Sequence, residues 1–155
     1  MAGPFRIQTV DAEMLERILP LIAAYQIFYE QQPDTARNRV FFGRFAGGTP
    51  GGIQFVALDD AGEPLGYATL YFLPSSLSGA DYCYLSDLFT IPEARSGGVA
   101  RALLAHASEH AASRGFSSVE WLTARSNERA QRLYDSLPTH KSEWFYYALP
   151  TRAAS

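Results

Sequence analysis

A single cysteine, Cys83, in 155 residues excludes an intramolecular disulfide and a cysteine-built zinc cluster. It lies in an aromatic, strand-like stretch, where a small buried thiol serves packing. No apolar run reaches the ~18 residues that a membrane span requires. The first residues also lack the basic-then-apolar layout of a secretory signal, so the expected location is cytoplasmic, with no membrane partner. Positive charge is not in excess: the net formal charge is -3 at pH 7. Without a basic patch there is no general attraction to phosphate backbones, and nucleic acid is not an expected partner. His106 and His110 stand four apart on a helical stretch, but no third ligand accompanies them. No metal is expected, and both are read as solvated helix residues.

What the chain does have is an aromatic fraction of 14% within a hydrophobic fraction of 47%, enough for a folded core and a ring-lined pocket or interface. Its length suits one compact domain over 1–155. Phe5, Ile7 and Thr9 alternate with polar residues as in a short strand. Asp11 follows as a helix cap, and Met14, Leu15, Ile18, Leu21 and Ile22 recur at helical spacing. That helix runs on toward Tyr25, Phe28 and Tyr29 and stops around Pro33. A second helix carries Arg37, Val40, Phe41 and Phe45, and the two could form a movable wall.

The glycines of 47–52 form a flexible connector, because no Lys-Ser or Lys-Thr follows and the next strand comes after them. Asp59 to Pro64 is a turn between strands Gln54–Leu58 and Leu65–Phe72, the simplest pairing being an antiparallel hairpin. A strand over Tyr82–Ile91 ends at Pro92. Val99–Ser113 then reads as a helix closed by Gly115. Ser118–Leu122 reads as a buried strand, Asn127–Leu137 as a helix and Glu143–Leu149 as a final strand. Hairpins early and helical crossovers late imply an α/β (α+β) fold with a mixed sheet, antiparallel in its first half.

Chemistry concentrates at Arg95-Ser96-Gly97-Gly98-Val99-Ala100. A turn at a helix start leaves backbone N–H groups unpaired, and the macrodipole adds roughly half a positive charge there. Gly97 and Gly98 remove side chains that would hold a pyrophosphate off those donors, and Arg95 and Arg101 add charge.

This stretch resembles the Gln/Arg-x-x-Gly-x-Gly/Ala pyrophosphate signature of the GNAT superfamily of N-acetyltransferases, with Arg95, Gly98 and Ala100 at the defining places. Downstream, Asn127-Glu128-Arg129-Ala130-Gln131-Arg132-Leu133-Tyr134 resembles the family's Asn-x-x-Ala-x-x-Leu/Phe-Tyr helix. The resemblance is strong over Tyr84 to Leu137, and near Tyr84 it is most similar to the diamine/polyamine acetyltransferase branch.

That resemblance implies a mainly antiparallel sheet with a splayed central strand pair and flanking helices. It implies acetyl-CoA as co-substrate and no metal. Leu88, Phe89 and Thr90 would pair their backbone with the pantetheine arm, as a peptide adds to an exposed sheet edge. Ser96, Gly97, Gly98, Val99, Ala100 and Arg101 would take the pyrophosphate, and Asn127 and Arg129 would lie beside the arm and the nucleotide end. On the last helix Asn127, Ala130 and Tyr134 share one face, and Tyr134 is the implied acid. Protonating a departing thiolate of pKa near 8.5 from a phenol near 10 is uphill by only about 2 kcal/mol. The attacking amine must first lose a proton, at a cost of about 4.6 kcal/mol at pH 7.

Two positions depart from the family. Polyamine acetyltransferases usually carry a glutamate before the strand's aspartate, whereas this chain has Ser86 before Asp87. Strand alternation then turns Asp87 away from Ser86 and gives it a structural role, which leaves the base as water relayed from another group. The family's glycine after the tyrosine helix is replaced by Leu137-Pro138. Tyr25, Tyr29, Glu30, Tyr71, Asp81, Tyr82 and Tyr84 make an aromatic and acidic set suited to an ammonium group. The expected activity is direct acetyl transfer to a small primary amine. The alternatives are acetylation of protein lysines or N-termini, and a non-catalytic CoA sensor. A homodimer could form through an exposed final strand.

Overall fold

The computed structural model describes residues 3–151, so the ends of the expected 1–155 domain lie outside them. The chain divides into two compact units, Met1–Leu122 and Thr123–Ser155. The first unit contains a five-stranded sheet of order β1-β2-β3-β4-β5, from β1 (Phe5–Thr9), β2 (Gly52–Asp59), β3 (Pro64–Ser75), β4 (Ala80–Thr90) and β5 (Val119–Glu120). The first three pairings are antiparallel and β4 with β5 is parallel, as the hairpin-then-crossover order predicts. Three helices join them: α1 (Ala12–Phe28), α2 (Thr35–Gly43) and α3 (Val99–Ser113). The second unit contains α4 (Glu128–Asp135).

Local chemistry sets the boundaries. The Asp11 carboxylate accepts from the Met14 amide at 2.8 Å and caps α1. Met14, Leu15, Ile18, Leu19 and Ile22 then turn one stripe onto Val56, Leu58, Tyr67 and Phe89 of the sheet. Fully buried side chains such as Ile18 and Ile22 are each worth ~1.5–3 kcal/mol in transfer terms. Before Pro33, α1 already ends at Phe28, and Glu30 takes a left-handed φ of 58°. Asn38 of α2 is buried and exchanges two hydrogen bonds with Gln26 of α1, at 2.9 and 2.8 Å. Gly66 lets β3 approach β4 closely: a Cβ there would stand 2.5 Å from the Phe89 carbonyl oxygen.

Three expectations need correction. The buried strand over Ser118–Leu122 shrinks to the two residues of β5, and neither is fully buried. The final strand over Glu143–Leu149 is not a strand, and Trp144, Phe145, Tyr146, Tyr147 and Leu149 are 82–90% exposed. Alternating aromatics favour a strand only when a neighbour supplies ladder hydrogen bonds. Here the interactions are local, such as Trp144 Nε1 donating to Ser142 Oγ and Arg125 pairing with Glu143. The solvated histidines are instead ring-packed: Phe55 lies edge-on to His106 at 4.5 Å and to His110 at 5.3 Å. They sit one step beside the buried Leu103 and Ala107 stripe, which draws them toward the sheet.

Candidate functional site

Beyond Tyr84 the β4 strand loses its neighbour. Parallel pairing covers Cys83 with Val119 and Tyr84 with Glu120, and among the described residues β4 runs from Leu85 to Thr90 with no further strand on that side. This is the predicted splay. Leu88 and Thr90 are half-buried along the open stretch, whereas the Phe89 ring is buried against Tyr25 and Tyr67.

The open edge leads into the glycine turn. A 3-10 turn over Pro92–Ala94 hands the chain to Arg95, whose Nε donates to the Thr90 carbonyl at 3.1 Å. Ser96 and Gly98 then take left-handed φ values of 65° and 86°. Gly98 is the N-cap of α3, and no side chain caps that end. Ser96, Gly98 and Arg101 are exposed, while Val99 is buried and anchors the first turn. A Cβ on Gly98 would meet nothing within 4 Å, so glycine is required there by backbone conformation and not by room. An uncapped helix start with a left-handed glycine entry fits a pyrophosphate, and an unpaired strand edge fits the amides of a pantetheine arm.

On the α1 side of the sheet a polar cluster surrounds Asp87. The register passes from Thr69 opposite Asp87 to Leu70 opposite Leu85, so Ser86 is an extra residue, a β-bulge. Simple alternation fails at that point. Ser86 does not face away from Asp87 but donates from Oγ to its Oδ1 at 3.2 Å. Asp87 is 8% exposed, and burial pushes its carboxyl above the ordinary range against the help of Thr69, Ser86 and Tyr25. Gln54 continues the chain by donating to Thr69 Oγ1 at 2.9 Å. Asp87 Oδ2 and the Tyr67 hydroxyl are both buried without a hydrogen-bond partner.

Tyrosines ring this carboxyl. The Tyr25 hydroxyl donates to the Ser86 carbonyl at 3.1 Å, and burial, with the Asp87 charge second, raises its pKa. Tyr71 is pushed up to about 12 by burial first and Asp87 second, and Tyr67 is raised by the same two causes. Tyr84 lies opposite Tyr71 in the ladder, and Tyr82 opposite Leu73. Tyr29 is exposed at the end of α1 with its ring 5.0 Å from that of Tyr25, and Glu30 and Asp81 are exposed. The predicted acceptor set therefore separates into Tyr25, Tyr71 and Tyr84 around the bulge and a peripheral group of Tyr29, Glu30, Asp81 and Tyr82. Tyr67, Thr69 and Ser86 were not anticipated there. The alternation Tyr67, Thr69, Tyr71 carries the signal for the first two, but nothing in the local pattern announces a bulge.

In the second unit, Asn127 caps α4 by accepting from the Ala130 amide at 3.2 Å. Asn127, Ala130 and Tyr134 are half-buried on one face, and Arg129 is exposed. Cys83 is fully buried, as expected, and burial raises its thiol to about 11.

A mixed sheet whose central strand opens toward a glycine turn and an uncapped helix defines the acyl-CoA-using class of transferases. The sequence profile of the acetyltransferase (GNAT) family matches residues 16–137, and the chain belongs to that family. It is 30% identical over 118 residues to the uncharacterized N-acetyltransferase YhfO of Bacillus subtilis (strain 168), covering 76% of this chain and 78% of that one. With the thialysine N-epsilon-acetyltransferase of Caenorhabditis elegans it shares 31% identity over 91 residues, 56% of each chain. The crystal structure of a probable acetyltransferase superposes with a TM-score of 0.83 at 29% identity, over 96% of this chain and 99% of that one. The protein is thus an N-acetyltransferase, and its family's acyl donor is acetyl-CoA.

Proposed function

We propose that the chain works as one acetyltransferase domain, carrying an acetyl group from acetyl-CoA directly to a small primary amine in the cytoplasm. The family profile spans both compact units, which supports a single working domain. One observation carries the reading: the open β4 edge from Leu85 to Thr90 runs straight into the left-handed entry of α3. Backbone groups of Leu88, Phe89 and Thr90 would hold the pantetheine amides. Ser96, Gly97, Gly98, Val99, Ala100 and Arg101, with Arg95 beside them, would hold the pyrophosphate. Asn127 and Arg129 would border the arm and the nucleotide end.

Acetyl-CoA supplies the acyl group as a thioester, and the residues supply position and protons. Cys83 is a poor candidate for an acyl-enzyme, because its buried thiol is held at about 11. Direct attack by the amine is therefore favoured. The Tyr134 hydroxyl would give its proton to the leaving sulfur, and the proton shed by the attacking amine would pass through water and restore the tyrosine. On the acceptor side Tyr25 and Tyr84, with Tyr29, Glu30 and Tyr82 farther out, would receive the amine. The Asp87 carboxyl beneath the bulge favours a cation at the Tyr25 and Tyr71 faces. Assembly as a homodimer through the exposed run 144–149 is proposed with it. Sedimentation as a monomer would remove that assembly alone.

The test is a panel of small primary amines assayed with acetyl-CoA for release of CoA thiol. Turnover with some members is expected. Saturable acetyl-CoA binding without thiol release from any amine would replace this reading with that of a CoA-binding module.

A further inference from the structure

Five arginines among the described residues answer a carboxylate. Arg17, Arg37, Arg39, Arg125 and Arg132 each stand within ion-pair distance of an Asp or Glu. Arg44 makes no such pair among the described residues. It follows α2 as an exposed C-cap, and its guanidinium lies over two rings, 5.3 Å from the centroid of Phe41 and 5.4 Å from that of Phe45. A planar guanidinium held over rings is restrained, which lowers the entropy lost when an anion binds.

The rings connect Arg44 to the Asp87 cluster. Phe45 lies 5.2 Å from Tyr71, and Tyr71 stands by the Ser86 hydroxyl. Tyr71 also feels both charges at once: Asp87 raises its pKa and Arg44 lowers it. A row therefore runs from the Arg44 guanidinium across Phe45 and Tyr71 to the Asp87 carboxyl. One end favours an anion, the other favours an ammonium, and the middle is apolar. A diamine would meet like charge at Arg44, whereas a molecule with amine and carboxylate at opposite ends of a short apolar chain would be matched at both.

We propose that the acceptor is an ω-amino acid, held with its carboxylate on Arg44, its methylene chain against the half-buried Tyr71 ring that Phe45 supports from the core, and its amine over the bulge at Ser86 and Asp87. This rests on the amine-acetylating reading above and narrows it. Arg44 is then a specificity residue remote from the bonds that change, and its substitution acts on KM and leaves kcat nearly unchanged.

The experiment compares δ-aminovalerate with pentylamine, which differ only in the carboxylate, in the wild type and in Arg44→Gln and Arg44→Glu. A charge-assisted contact predicts a KM for δ-aminovalerate about tenfold lower than for pentylamine in the wild type. That preference disappears in Arg44→Gln and reverses in Arg44→Glu. An equal KM for the two amines in the wild type, or an undiminished preference in Arg44→Gln, overturns the proposal while amine acetylation stands. If neither amine releases thiol, the Arg44 Nε–H resonance decides the proposal by titration with the same two compounds, and the amine panel decides the acetylation reading separately. Movement with δ-aminovalerate alone supports it, and equal or absent movement with both overturns it.

Discussion

The bulge within β4 and the turn that follows the strand are built by opposite means. After the strand, the turn from Arg95 to Ala100 is made of backbone, with exposed left-handed residues at Ser96 and Gly98 and a helix start that no side chain caps. Around Ser86 and Asp87 the site is made of side chains: Ser86 Oγ donates to the buried Asp87 carboxyl, the Tyr25 hydroxyl donates to the Ser86 carbonyl, and Thr69 stands opposite Asp87. A backbone site offers the same N–H groups whatever the neighbouring side chains, which suits a cofactor that never changes. A side-chain site changes with each substitution, which suits an acceptor that differs between relatives.

Substitutions separate these two kinds of construction. The largest effect is expected at Tyr134, the proposed acid: Tyr134→Phe should lower kcat by about 100-fold with CoA affinity unchanged, as calorimetry and steady-state rates would report. Unchanged turnover would return Tyr134 to a packing role. Next comes Gly66→Ala, whose Cβ would press on the Phe89 carbonyl and should lower unfolding stability by about 1–3 kcal/mol in a denaturant titration. Full stability would mean that β3 and β4 part more easily than the close approach implies.

Asp87→Asn probes the buried carboxyl at the bulge through pH. Burial holds the native carboxyl above its ordinary 3.8, so the folded protein binds this proton more tightly than the unfolded chain does. Its contribution to stability is complete below 3.8 and is lost as pH rises through the raised value. The stability of wild type minus Asp87→Asn should therefore fall with rising pH across that window. A flat difference would show the carboxyl to be better solvated than its burial indicates. The smallest effect is expected at His110. Burial, then Arg114 and His106, lower its pKa from 6.5, so its contribution is present above 6.5 and is lost as pH falls through the lowered value. His110→Gln should flatten that acid-side loss, and an unchanged profile would remove His110 from the α3 seat.

Legibility in the sequence follows the same division. The turn could be read from Gly97, Gly98 and the apolar stripe of α3, because left-handed entries and helix faces have one-residue signatures. Hairpin order and the parallel crossover followed from segment lengths. The bulge was illegible, since one extra residue in a strand changes no composition, yet it reverses where Ser86 points and brings its hydroxyl onto the Asp87 carboxyl. The histidines of α3 were misread because i,i+4 spacing fixes a shared face without saying what lies opposite, here Phe55 and Phe72. The stretch Glu143–Leu149 has a strand's pattern, but a strand exists only with a partner, which no local pattern supplies.

The central claim is that the uncapped start of α3 takes the pyrophosphate of the acyl donor. Calorimetric titration of CoA and of pantetheine, which lacks the pyrophosphate, tests it most directly. The account predicts saturable CoA binding, much weaker pantetheine binding, and loss of that difference in Gly98→Val. Equal affinity for the two ligands, or no CoA binding at millimolar concentration, would contradict it.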